Sequence, residues 1–355
     1  AYREQASAEK IGNKTGINLA NPEVEFGYLW GSPKEVGNKV DLSVTQSFDF
    51  PTSYRYRSQL TDGRNVQVDL TYRQQVKDIL QEARIFCVEL IYQLYLNKEL
   101  TLRLDHAKDL HDAYKQSLEK GEIGIIEYNK TKLSLLAVEK TLQINEVEIN
   151  TLKSELQRLN GGEPIGDVTG YPIYSLPLNF DEWFTRAKEN NPTLKFAEKD
   201  VELSRKQEQL TRSLNLPKFT AGYASERVPG ANEVQQGFTI GVSIPLWEGK
   251  NTVKHQKAQT VALQAQQEDF KLQFRNNLWK QYDKAGKLNR LLKEYKEALE
   301  ASNNRELLKK ALDVGQLSLI NYIQELTIYY ETVDQYMETE RDYQLALAEL
   351  QQWES

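Results

Sequence analysis

The sequence predicts a mixed α and β fold in which short two-faced strands alternate with very long helices. Three observations predict it. First, Gly237 to Gly249 (GFTIGVSIPLWEG) puts Phe238, Ile240, Val242 and Ile244 on one face and Thr239, Gly241 and Ser243 on the other. Second, Val40 to Phe50 (VDLSVTQSFDF) repeats the design, with Val40, Leu42, Val44, Phe48 and Phe50 alternating with Asp41, Ser43, Thr45, Ser47 and Asp49. Gln46 is the polar residue on its apolar face. Third, apolar residues recur every three or four positions over stretches far longer than an ordinary globular helix.

The chain is an internal tandem duplication. An offset of 194 residues carries Thr45 onto Thr239, Pro51 onto Pro245, Lys77 onto Lys271 and Leu94 onto Leu288. The same offset carries Lys115 onto Lys309, Leu118 onto Leu312, Gly121 onto Gly315 and Tyr128 onto Tyr322. One residue of slippage aligns Pro22, Gly27 and Tyr28 with Pro217, Gly222 and Tyr223. Three regions follow: a first repeat over 1–160, a connecting segment over 161–190 and a second repeat over 191–355. The repeats need not be separate domains.

Each repeat reads helix, strand, strand, long helix, turn, long helix. Asn191-Pro192 opens a helix that runs to about Leu214. The matching Asn-Pro of the first repeat is expected to precede Ala1, so the chain is expected to begin inside a helix, with any address segment lost ahead of it. The first hairpin pairs Glu23–Trp30 with Val40–Phe50, through a loop holding Gly31, Pro33 and Gly37. The second pairs Lys218–Glu226 with Gly237–Ile244, through a loop holding Pro229 and Gly230. Pro51 and Pro245 end the strands, because proline lacks the N–H that a ladder needs.

The period then changes from 2 to about 3.5. Tyr72, Val76, Ile79, Ala83, Phe86, Leu90 and Leu94 form one stripe, which resumes at Leu104, Ala107, Tyr114 and Leu118. After Gly121 a second stripe runs Leu135, Val138, Leu142, Ile149, Leu152, Leu156 and Leu159, interrupted by polar Asn145. In the second repeat one helix is expected from about Asn251 to Val314, and after Gly315 a stripe runs Ile320, Ile323, Leu326, Tyr330, Val333 and Met337. Between the repeats, Tyr174–Leu178 reads as a short strand and Phe180–Glu189 as a short helix capped by Asp181.

Composition narrows the function. The net charge is −6 and no basic patch points to nucleic acid. No run of about 18 apolar residues is present, which excludes a transmembrane helix and says nothing of a barrel. A single cysteine, Cys87, excludes an internal disulfide framework and reads as packing. His106, His111 and His255 lack metal-site spacing, and no nucleophile constellation or phosphate loop occurs, so neither enzyme nor cofactor nor metal is expected.

Four strands cannot close a barrel, and unpaired backbone is intolerable in lipid. Closure therefore needs other copies of the chain. Two copies supply eight strands and three supply twelve, and a lumen wide enough for solutes favours the larger number. A soluble coiled-coil scaffold is the rival reading. It explains the helices but leaves two hairpins with apolar outer faces unexplained.

Asn191-Pro192, Pro217, Ile244-Pro245-Leu246-Trp247-Glu248-Gly249 and the paired tips GEIGIIEY (Gly121 on) and GQLSLINY (Gly315 on) together resemble the TolC outer-membrane factor family, over essentially the whole chain. The resemblance implies a homotrimer in the outer membrane of a Gram-negative bacterium, with a twelve-stranded transmembrane β-barrel continued by a long α-helical barrel in the periplasm. It implies the passive exit duct of a tripartite efflux pump or type I secretion system, exporting small molecules such as drugs or metal ions. A periplasmic adaptor would dock at the tip turns Gly121 and Gly315, and an inner-membrane transporter of the RND or ABC type would supply energy. Acidic gate residues of the family fall on Asn321 and Gln324, and a basic one falls on Leu317. Glu127 and Lys130 take the equivalent places in the first repeat. The alternation assigns Glu23, Glu25, Asp41 and Asp49 to the lumen and the apolar set, from Val40 to Phe50 and from Phe238 to Ile244, to lipid.

Overall fold

The computed structural model describes residues 1–33, 36–172, 174–229, 234–301 and 305–354. In chain order the elements are α1 (Tyr2–Gly12), β1 (Glu23–Leu29), β2 (Lys39–Phe48), α2 (Pro51–Glu119), α3 (Ile125–Leu159), α4 (Phe180–Glu189), α5 (Pro192–Leu214), β3 (Lys218–Arg227), β4 (Val234–Ser243), α6 (Thr252–Ala301), α7 (Arg305–Asp313) and α8 (Leu319–Gln351). Gly230 of the second loop lies outside the described residues, as do 302–304, where a single helix was expected to run on from α6 into α7.

Two compact units divide the chain, and they cut across the repeats. One holds Ala1–Gln75 and Asn191–Gln273; the other holds Val76–Asn190 and Phe274–Ser355. Each unit therefore draws on both copies of the duplication.

The first unit carries an antiparallel sheet in the order β1-β2-β3-β4. Its registers pair Val24 with Val44, Phe48 with Phe219, and Tyr223 with Phe238. β2 and β3 come from different repeats, so the two hairpins join into one sheet. Below the strands, Leu60 of α2 packs with Leu203 and Leu210 of α5, flanked by Tyr56 and Leu214. Asn191 caps α5: its side chain accepts from the N–H groups of Thr193 and Leu194 at 2.8 and 3.1 Å. That buries a polar residue at no loss of hydrogen bonding.

At Gly63, α2 lies close against Leu203 and Lys199 of α5. A Cβ there would stand 2.2 Å from Leu203 Cδ2. Glycine inside a helix normally costs about 1 kcal/mol against alanine. Gly63→Ala is nevertheless expected to lower the thermal midpoint, because the overlap drives Leu203 off its rotamer at about 1–3 kcal/mol. A midpoint that rises in a circular-dichroism melt would refute the close contact.

In the second unit the predicted stripe does pack: Leu90, Ile149 and Leu156 form a cluster with Ala83, Phe86, Leu94 and Leu152. Asn145, 3% exposed, is not a flaw in it. Its Nδ2 donates to the Gln93 carbonyl and side-chain oxygens at 3.0 and 2.8 Å, and its Oδ1 accepts from Asn97 at 2.7 Å. A buried amide with these partners fixes the axial register of α3 against α2. Around α4, Trp183 is 1% exposed and its indole donates to Glu354 at 2.8 Å.

Several boundaries differ from expectation. β1 ends at Leu29, leaving Trp30 beyond it. β2 ends at Phe48, so Asp49 and Phe50 fall outside the ladder. Pro51 starts α2 there, and the chain must turn to enter the helix. β3 extends through Arg227, and β4 runs from Val234 to Ser243, so Ile244, which precedes Pro245, also lies beyond its strand. The cap of α4 is Asn179, whose side chain accepts from the Asp181 and Glu182 N–H groups, and Asp181 sits in the first turn instead. Tyr174–Leu178 is not a strand. The Pro177 carbonyl there accepts from the Tyr282 hydroxyl at 3.0 Å, in place of a ladder partner.

Candidate functional site

The sheet has two chemically distinct faces, set by its registers. Partners across an antiparallel ladder share a face. One face carries Val24, Phe26 and Tyr28 from β1, Val40, Leu42, Val44 and Phe48 from β2, Phe219 and Tyr223 from β3, and Phe238, Ile240 and Val242 from β4, interrupted by Gln46 and, toward the β3–β4 loop, by Ser225, Arg227 and Gln236. It is open rather than packed: Phe26 is 70% exposed, Phe238 88% and Ile240 85%. An apolar face of this extent marks contact with a membrane or another chain. Phe50, beyond β2, lies with its ring 6.5 Å from that of Phe219, and Ile244 is exposed just past β4.

The opposite face carries Glu23, Glu25, Lys39, Asp41, Ser43, Thr45, Ser47, Lys218, Thr220, Glu226 and Thr239, with small residues between them. The four acids expected there are not equivalent. Glu23 and Glu25 sit on β1 and are exposed. Asp41 lies across from Glu226, and Lys39 bridges both carboxylates at 3.5 and 2.7 Å. Asp49 lies past the strand end, where its N–H donates to the Tyr54 hydroxyl at 3.0 Å and its carboxylate takes Arg57 of α2. It is an anchor between strand and helix. Lys39, Arg57 and Glu226 escaped the sequence reading, because their importance comes from cross-strand and strand-to-helix pairing.

The sheet also has two open edges, the outer rows of β1 and β4, whose backbone groups have no ladder partner among the described residues.

The second unit carries the two tips, and they are copies at hydrogen-bond level. After α2, the N–H of Gly121 donates to Leu118 at 2.9 Å and that of Glu122 to Ser117 at 2.9 Å. After α7, the N–H of Gly315 donates to Leu312 at 3.0 Å and that of Gln316 to Ala311 at 2.8 Å. Gly121 and Gly315 both have φ of 74°, the left-handed conformation that ends a helix in this pattern. α3 and α8 then start at Ile125 and Leu319, again 194 residues apart.

The caps differ between the tips. In the first, the Glu127 carboxylate accepts from the Gly124 N–H at 2.9 Å and so closes the start of α3, while Lys130 is half-buried one turn on. In the second, Ser318 Oγ accepts from the Asn321 N–H at 3.3 Å. Asn321 and Gln324 are exposed and Leu317 is half-buried, its N–H donating to Ala311 at 3.1 Å.

Arg103 of α2 ties the helices of this unit together, and no reading of the sequence singled it out. Its side chain is 8% exposed. Nη1 and Nη2 donate to the two Asp334 oxygens of α8 at 2.9 and 2.7 Å, and Nε donates to Glu99 at 3.1 Å. Its guanidinium lies 4.3 Å from the ring centre of Tyr330. Arg305 of α7 donates to the same Glu99 oxygen at 2.9 Å. The i, i+4 spacing of Glu99 and Arg103 was visible, but Asp334 is 231 residues away.

His106 stands with its Nδ1 3.4 Å from the Tyr330 hydroxyl, and the ring of His111 lies 5.2 Å from that of Tyr128. Among the described residues no group of three or more His, Cys, Asp and Glu is placed to hold a metal ion. No described helix is long and apolar enough to cross a membrane.

No protein-family profile and no curated protein matches the sequence. Solved structures match the fold closely. The outer-membrane channel OprN superposes with a TM-score of 0.81 and 13% identity, over 99% of this chain and 84% of that one. The CmeC outer-membrane channel of Campylobacter jejuni gives 0.75 and 10%, over 99% and 80%. The outer-membrane protein VceC of Vibrio cholerae gives 0.76 and 11%, over 99% and 90%.

Proposed function

We propose that this chain, which has the fold of the TolC-like outer-membrane factors, is an outer-membrane channel of a Gram-negative bacterium and acts as the passive exit duct of a tripartite efflux pump or a type I secretion system. The observation that carries the proposal is the sheet: one open apolar face, one polar face and two unpaired edges. Three copies joined β1 to β4 give a twelve-stranded barrel with Val, Ile and Phe toward lipid and polar residues toward a wet lumen. Long helices with steady heptad-like stripes suit a duct wall in the periplasm. A periplasmic adaptor docking at the Gly121 and Gly315 turns, and an inner-membrane transporter of the RND or ABC type, complete the assembly. The cargo is small molecules such as drugs or metal ions, and the channel itself does no chemistry.

Within that reading the acids divide. Asp49 is matched by Arg57, whereas Asp41 and Glu226 share the single charge of Lys39 and keep one net negative charge between them. Glu23 and Glu25 carry the two acid charges without such a cation and would contribute most to a cation preference, because charge along a low-dielectric wall concentrates ions of opposite sign. Asn321 and Gln324 line the constriction at the tip, where amides act through hydrogen bonds instead of charge.

Planar-bilayer recordings test both points. The protein is expected to form stable trimeric conductances. Glu23→Gln with Glu25→Gln, which removes two charges, is expected to weaken a cation-selective reversal potential more than Asp41→Asn, which removes one. Asn321→Ala with Gln324→Ala is expected to raise conductance. No conductance at all would overturn the channel; a channel indifferent to all these variants would overturn only the residue roles.

A further inference from the structure

Beyond the duct itself, the second unit holds a cavity of about 320 Å³ bounded by α2, α3 and α8. Its walls are mainly apolar, with Leu100, Leu110, Val138 and Leu326 among them, and the aromatic rings of Tyr322 and Tyr330 contribute to one side. Cavities of roughly 300 Å³ and above, apolar with few polar groups, are the usual form of a small-molecule site. Tyr322 is only 4% exposed, so its ring is already held in place.

The polar groups of this cavity are unequal. Asp334, in the wall, is occupied by the Arg103 fork, whose Nε reaches outside the wall to Glu99, itself also held by Arg305. His106, also in the wall, makes one long contact through Nδ1 to Tyr330, and its second ring nitrogen has no hydrogen-bond partner among the described residues. The charged groups around His106 are Arg305 and Lys309 of α7, with Asp109 and Glu99 of its own helix opposing them. Burial first, and then the two cations, hold the imidazole below its usual range.

We propose that this cavity is a binding site for a small aromatic carboxylate, its ring between the tyrosines and the aliphatic wall and its carboxylate on His106. An incoming anion favours the imidazolium that the neighbouring cations oppose. Binding therefore takes up a proton and tightens as pH falls. A ligand seated here touches α2, α3 and α8 together, and so bears on how firmly the helices next to the tip are held.

The test uses the full chain in lipid nanodiscs, titrated calorimetrically with 1-naphthoate against empty discs, with 1-naphthalenemethanol as the neutral control. Saturable binding is expected at one site per chain, tighter for the acid than for the alcohol by about fivefold, the margin of a charge-assisted hydrogen bond over the neutral one that the alcohol makes. The acid is expected to bind tighter at about pH 5.5 than at about pH 8, across the titration range of histidine. Val138→Trp fills the cavity and is expected to abolish binding. His106→Leu keeps the cavity and is expected to remove both the acid-over-alcohol preference and the pH dependence. Equal binding of acid and alcohol, no heat above that of empty discs, or a His106→Leu protein that still prefers the acid at low pH would each overturn the assignment.

Discussion

Arg103→Ala is expected to loosen α8 from α2 and to destabilise the second unit by about 1.5–3 kcal/mol, the worth of hydrogen bonds to a charged group, since Asp334 is part-exposed and water replaces some of what it loses. Arg103 is 8% exposed and reaches Asp334, Glu99 and the Tyr330 ring at once. Its removal strands Asp334 and leaves Glu99 with Arg305 as its cation. Arg103→Lys is expected to recover less than half of the loss, because a single ammonium cannot reproduce the two-pronged contact or stack on Tyr330. The pair Arg103→Met with Asp334→Leu is expected to be milder than Arg103→Ala alone, since it leaves no charge behind on α8. Amide hydrogen exchange along α8 reads this directly. Protection near Asp334 that is unchanged in Arg103→Ala would mean the ion pair contributes nothing.

Ile240→Lys and Thr239→Lys, one residue apart, are expected to behave oppositely. Ile240 is on the apolar face and 85% exposed. A lysine facing the middle of a bilayer costs about 2–4 kcal/mol, and three copies in one barrel multiply the penalty. Thr239 lies on the polar face, opposite Gly222, where a lysine extends into water. The fraction of protein inserted into lipid vesicles is therefore expected to collapse for Ile240→Lys and to stay near the parent for Thr239→Lys. A soluble scaffold makes the contrary prediction, since Ile240→Lys would then simply improve solubility. Equal insertion of the two variants would remove the case for a lipid-facing sheet.

Much of this architecture was legible because its signals are local and repeated. Alternation over Val40–Phe48 and Phe238–Val242 identified the strands and sorted their faces, since period 2 leaves no freedom about which side a residue takes. Asn191-Pro192 located the start of α5 to the residue, because an Asx cap followed by proline meets the geometry of a first turn. The 194-residue offset carried the Gly121 turn onto the Gly315 turn, down to matching hydrogen bonds. Boundaries went astray where a proline acts on its predecessors: Asp49, Phe50 and Ile244 continued the pattern on paper and left the strand in fact.

What the sequence determined by itself was periodicity: two-faced strands, helices striped for side-by-side packing, and one plan written twice. Those are properties of residues a few positions apart, and the physics linking them is short-ranged. Only the tertiary structure decided that the hairpins of both repeats merge into one sheet, that each compact unit is built from both halves, and that Arg57 pairs with Asp49 while Asp41 shares Lys39 with Glu226. It alone brought Arg103 to Asp334. Charge pairing depends on distance in space, and spacing along the chain carries no information about that once residues are hundreds of positions apart.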